Sequence, residues 1–106
     1  MSTNFYAIPS LAINAKVYHL GQRAVGWKFL IQANGFAFYD DWPSMQAWLR
    51  EERPLLFDEY KHALTIDEFV EIVENQQKFK SRSDDLHDHF AYFVKGGYEM
   101  FDWDFC

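Results

Sequence analysis

A chain of 106 residues with 11 Phe, 6 Tyr and 4 Trp has to find room for 21 rings, and that demand constrains its fold more than any other feature. Each ring buries on the order of 150 to 250 Å² in a core, and a domain of this length has limited interior. Some rings therefore belong near the surface, either padding a thin core or forming a contact patch, since aromatic residues are enriched in interface cores. The length suits one domain, residues 1–106, and five Gly with three Pro are too few for a collagenous or disordered chain.

The apolar residues fall into short periodic runs. After a loose N-terminal arm that includes Pro9, Lys16-Val17-Tyr18-His19-Leu20 reads as a strand that Gly21 stops. Gly26 to Gln32 alternates, with Trp27, Phe29 and Ile31 on one face and Lys28, Leu30 and Gln32 on the other. Asn34-Gly35 then predicts a two-residue turn into Phe36-Ala37-Phe38-Tyr39.

Asp40-Asp41-Trp42-Pro43 supplies a cap and a first-turn proline for a helix over 43–52, with Met45, Trp48 and Leu49 facing inward and Pro54 preventing continuation. Leu55-Leu56-Phe57 reads as a brief extended segment before a turn at 58–61. Thr65 and Glu68 have the spacing of a capping box, Leu64 and Phe69 that of a hydrophobic staple, and Ile66, Phe69, Val70 and Val73 form the stripe of a helix over 66–77. A basic connector, 78–82, leads to a third helix over 84–94 that Gly96-Gly97 ends, and Phe101, Trp103 and Phe105 alternate in a terminal extended segment. The expected fold is an α+β domain in which a small antiparallel sheet of about three or four strands packs against two or three helices.

Charge is divided unevenly. Residues 1–50 carry a balance of +2 and residues 51–106 a balance of −8, giving the net −6. Such a surface repels phosphate backbones, which argues against nucleic acid as a partner. No run approaches the 18 or so apolar residues that span a bilayer, and the first residues lack a secretory signal, so the expectation is a cytoplasmic protein with no membrane partner. The lone cysteine, Cys106, builds neither an intrachain disulfide nor a zinc site.

Asp84-Asp85-Leu86-His87-Asp88-His89 has the composition of a metal site without its geometry, because no single helix or strand turns more than two of these ligands to one side. His62 beside Asp58 and Glu59 lacks a nucleophile to activate. No catalytic residue, cofactor or metal is assigned. Tyr18, His19, Arg23, Trp27 and Lys28 surround a turn flanked by Gly21 and Gly26, and an imidazole, two cations and two stackable rings there form a candidate site for a nucleotide or other anion. Glu71 and Glu74 on the 66–77 helix, with Trp103, are candidates for contact with a protein partner.

These motifs share a pattern. His19-Leu20-Gly21-Gln22-Arg23, Gly26-Trp27-Lys28-Phe29, Tyr39-Asp40-Asp41-Trp42, Phe57-Asp58-Glu59-Tyr60 and the capped Leu64 to Val73 helix, followed by Gly97-Tyr98 and Asp104-Phe105-Cys106, resemble a widespread family of small bacteriophage and prophage proteins. Two positions depart from it: Gln22 stands where the family usually has lysine, and Lys61 where it usually has glycine. The family carries no assigned catalytic residues. The resemblance implies a non-catalytic accessory protein that binds and modulates a bacterial host protein, as an anti-defence or host-takeover inhibitor does. The alternative is a small-molecule binder that sequesters an anion at the His19 to Lys28 turn. A homo-oligomer is left open.

Overall fold

Ser2-Thr3-Asn4-Phe5-Tyr6-Ala7-Ile8 alternates in side-chain direction, and it forms the strand on which the architecture is built. A computed structural model describes residues 2–9, 16–33, 41–81 and 91–102. Among them the order is β1 (Ser2–Ile8), β2 (Tyr18–Ala24), β3 (Leu30–Gln32), α1 (Trp42–Glu52), β4 (Leu55–Asp58), β5 (Ala63–Leu64), α2 (Ile66–Gln76), β6 (Tyr92–Lys95) and β7 (Tyr98–Phe101). The seven strands make one sheet in the order β5-β4-β1-β2-β3-β7-β6. Every neighbouring pair is antiparallel except β3 with β7, which is parallel.

Both helices pack on one face of the sheet. Phe5 and Ala7 of β1, Leu20, Ile31, Leu56 and Met100 enter a core with Trp42, Met45, Trp48 and Leu49 of α1 and Phe69 and Val73 of α2. Rings organise its centre: Phe29 meets Phe69 edge-on at 5.7 Å, and Phe5 lies 5.8 and 5.7 Å from them. On the opposite face Leu30, Ala91 and Phe101 form a smaller buried cluster. Residues that alternate with core residues, among them Asn4, Tyr6, His19, Gln32 and Phe57, also project to that second face.

This corrects the expected sheet of three or four antiparallel strands with two or three helices: the sheet is seven-stranded and mixed, with two helices among the described residues. Residues 2–8 of the N-terminal arm are a strand and not a loose segment. β1 pairs with β2 on one side and β4 on the other, and its partners lie too far along the sequence for local propensity to reveal them.

Nor does Gly21 stop its strand. Phe5 pairs with Gly21 and Tyr6 with His19, so Leu20 is an extra residue in a bulge and β2 continues to Ala24. A Cβ at Gly21 would stand 2.4 Å from Phe29 Cε1 and 2.5 Å from the Leu30 carbonyl oxygen, which explains why this strand needs glycine there. The helix expected over 84–94 is also wrong where it can be seen, since Tyr92–Lys95 is β6. Gly96 and Gly97, with φ of +63° and +84°, make the two-residue turn of the β6–β7 hairpin rather than a helix end. The expected turn at Asn34-Gly35 and strand at 36–39, residues 84–90 of that helix, and residues 103–105 of the terminal segment lie outside the described residues.

Other readings hold closely. α1 starts one residue earlier than expected, capped by Asp41, whose carboxylate accepts the Ser44 amide at 2.8 Å. Thr65 and Glu68 exchange the two bonds of the capping box, at 3.0 and 2.8 Å. No helix among the described residues is long and apolar enough to cross a membrane.

Candidate functional site

Because β2 runs straight through Gly21, the five residues expected to surround one turn are divided among three places. Tyr18 faces the helices, its ring edge-on to Trp48 at 5.4 Å, with the Lys16 ammonium over it. His19 projects to the other face of the sheet. Arg23, returned to the helix side by the bulge, holds its guanidinium 5.9 Å from the Phe5 ring centre. Trp27 and Lys28 follow the β2–β3 turn and meet the chain where it leaves α2: Trp27 forms a parallel bridge with Lys80, and the Lys28 amide donates to the Lys80 carbonyl at 2.9 Å.

His19 sits in a row of polar groups across β1, β2 and β3. Gln32 is buried and its amide nitrogen donates to the carbonyls of Ala33 and Phe101, both at 3.1 Å, which turns its Oε1 toward His19 Nδ1 at 3.1 Å. His19 Nε2 lies 2.9 Å from Asn4 Oδ1. Asn4 in turn donates its backbone N–H to Glu59 Oε1 at 2.7 Å and accepts from the Glu59 amide at 2.9 Å. Tyr6 packs between the His19 ring and Phe57, at 5.5 and 5.6 Å. The imidazole therefore ties three strands together.

The end of α2 is different in character. A cleft of about 270 Å³ is lined by Thr3, Arg23, Val25, Gly26, Gln76 and Phe79. Gln76 fixes one wall by donating to the carbonyls of Ala24 and Trp27, at 3.1 and 3.0 Å. Val25 is 81% exposed and Phe79 37% exposed. One cation lines the cleft and three more lie on residues in or next to it. Lys80 covers the Trp27 ring at 5.1 Å, Lys78 covers Phe79 at 5.2 Å, Arg23 lines the cleft, and the Lys28 ammonium donates to the backbone carbonyl and side-chain oxygen of Gln77. None of the four pairs with a carboxylate among the described residues, whereas Arg50 and Lys95 lie 3.2 and 3.8 Å from Asp67 and Asp41.

Sequence reasoning identified Arg23, Trp27 and Lys28 but missed Val25, Gln76, Phe79 and the two lysines, reading 78–82 only as a connector. The contact that unites them joins residues 27 and 80, and nothing local marks it. A second depression, about 440 Å³, is lined by Arg50, Arg53, Pro54, Leu64, Thr65 and Ile66, and Arg50 there is engaged with Asp67.

The acidic candidates separate as well. Glu71 is exposed on α2. Glu74 accepts the Trp42 indole N–H at 2.8 Å and the Tyr98 hydroxyl at 2.7 Å, so it anchors α1 and β7 to α2. Burial and this carboxylate push the Tyr98 phenol up to about 12. Trp103, the 84–89 cluster and Cys106 lie outside the described residues.

At the exposed β4–β5 turn His62 Nδ1 is 3.3 Å from Asp58. Burial opposes the Asp58 charge, but the amides of His62 and Tyr60 and the His62 ring together hold its carboxyl below the ordinary value. No group of three or more His, Cys, Asp or Glu among the described residues could hold a metal ion. Compared with protein-family models, curated proteins and solved structures, the chain matches none.

Proposed function

We propose that this chain is a non-catalytic accessory protein of the bacteriophage or prophage kind, which binds a bacterial host protein and modulates it through the cleft between the β2–β3 turn and the end of α2. The carrying observation is the pairing of exposed Val25 and Phe79 with Arg23 in the cleft and Lys28, Lys78 and Lys80 beside it, none of which pairs with a carboxylate among the described residues. Apolar surface rimmed by charge is the composition of a recognition surface. The motif residues divide between the fold and this cleft. Gly21 admits Phe29, Asp41 and Thr65 cap helices, Asp58 closes a turn and His19 joins strands, whereas the motif residues Arg23, Gly26, Trp27 and Lys28 lie in or beside the cleft.

The test is capture of a host protein by immobilised wild type and by Val25→Asp, each quantified by mass spectrometry. One protein in near-stoichiometric yield from the wild type and its loss with the variant supports the reading. Equal capture by both removes the cleft from it, and no saturable partner removes the function.

The alternative, sequestration of a nucleotide, retains Arg23 and Lys28. It loses His19 to the other face of the sheet, and Lys80 occupies a face of Trp27. Heat on titration with mono-, di- or cyclic nucleotides would restore it.

A further inference from the structure

We infer that the cleft receives an acidic linear segment of the partner, seating one apolar side chain between Val25 and Phe79 while flanking carboxylates meet Arg23, Lys78 and Lys80. This rests on the binding function proposed above and specifies the chemistry recognised. The chain has 16 acidic residues and 10 basic ones, so four cations that pair with no carboxylate among the described residues are a departure from what mixing would give.

Helix electrostatics accounts for part of the cluster. Lys28 satisfies the Gln77 carbonyl just past the last turn of α2, where a cation offsets the partial negative charge. That effect fades beyond the final turn, and it does not explain Arg23, which comes from β2, or Lys80, which lies four residues past the helix. Arg23 and Lys80 thus remain for a ligand, with Lys78 beside them over the Phe79 ring.

Volume and ring geometry select the ligand. Small-molecule sites span roughly 300 to 1,000 Å³, and a cleft of about 270 Å³ suits a protein side chain better than a nucleotide. Single-stranded nucleic acid needs open rings for its bases, yet Trp27 and Phe79 are each covered on one face by an ammonium group. Its backbone would also meet a protein of net charge −6. An acidic peptide with an apolar anchor satisfies both the cations and the exposed Val25.

Fluorescence anisotropy with the full chain tests this, using a labelled peptide Glu-Asp-Asp-Leu-Phe-Asp-Glu-Glu, the same peptide with Ser for Leu and Phe, its Lys-for-acid counterpart, and a single-stranded oligonucleotide of similar length. The first peptide should bind saturably, about tenfold more weakly to Arg23→Ala with Lys80→Ala if each exposed ion pair supplies a factor of about three. Val25→Asp should abolish binding with an unchanged melting curve. The charge-reversed Arg23→Glu, Lys80→Glu variant should instead prefer the basic peptide.

Equal binding of the Ser-containing peptide would overturn the anchor, and tighter binding of the oligonucleotide would overturn the peptide. Absence of peptide binding while Val25-dependent capture of a host protein persists would overturn this inference and leave the proposed function standing. Loss of both would remove the two together.

Discussion

Single backbone angles carry much of the specificity in this chain. Gly21→Ala would drive a methyl group into Phe29 and the Leu30 carbonyl, and a backbone atom on a paired strand has little freedom to yield. The expected loss is about 3 kcal/mol or more, read from urea midpoints. Lys61 presents the opposite case. Its φ is +66°, a left-handed conformation that costs a residue with a Cβ roughly 1 to 2 kcal/mol, part of which glycine returns as chain entropy. Lys61→Gly should therefore raise stability by up to about 1 kcal/mol.

The pattern expected from the sequence has glycine at that position, so sequence reading marked Lys61 as a departure but not its strain, which depends on a φ angle. His19 was legible as a special residue, and the structure shows it in a role the sequence did not suggest. A histidine beside glycines and cations suggests an anion ligand, whereas its ring is held by Asn4 and Gln32 from strands 15 residues before and 13 after. His19→Ala would leave buried Gln32 without that contact and should cost roughly 1 to 3 kcal/mol.

Elements are the scale at which the sequence was most readable, because capping and amphipathic stripes are local. Both helices carry a reciprocal capping box. Thr65→Ala should cost about 1 kcal/mol and Phe69→Ala, which empties core volume, about 3 to 5 kcal/mol. Titration enters through Asp41. The Ser44 hydroxyl and amide, ahead of a smaller contribution from Lys95, hold its carboxyl below the ordinary 3.8. A depressed native value means stability that is complete above the ordinary value and is lost as pH falls from there through the native one. Asp41→Asn keeps an acceptor for the cap but no longer titrates, so its stability should decline less steeply than the wild type's below pH about 4.

Tyr98 gives the opposite sign. Its value is raised from 10.0 to about 12, so its contribution is complete below pH 10 and disappears as pH rises toward 12. The stability gap between wild type and Tyr98→Phe should close over that interval in alkaline urea titrations. The acidic stripe of α2 was legible, but the role of Glu74 was not. Its partners, Trp42 and Tyr98, come from elements 32 and 24 residues away.

The molecule as a whole is organised by pairings that sequence periodicity cannot express. Strand alternation names faces, not neighbours, and four of the six neighbouring strand pairs join strands that are consecutive in the chain. The other two, β1 with β4 and β3 with β7, decide the size of the sheet, and neither has a local signal. The same is true of the cleft, where the 27–80 bridge brings two separately unremarkable basic segments together.

The parallel pair also has a consequence for synthesis. Leu30 to Gln32 acquires its second neighbour only from Glu99 to Phe101, at the far end of the described chain. While the polypeptide is emerging from a ribosome, β3 has β2 on one side and an open row of amides and carbonyls on the other. Both helices can already exist at that point, so the nascent protein passes through a stage with a capped helical layer and an unclosed edge. Loop closure over so many residues is slow, and an unpaired apolar edge is where two such chains would join wrongly. Rapid, crowded expression should therefore yield aggregates that slower synthesis avoids, even though the finished sheet has β3 fully enclosed.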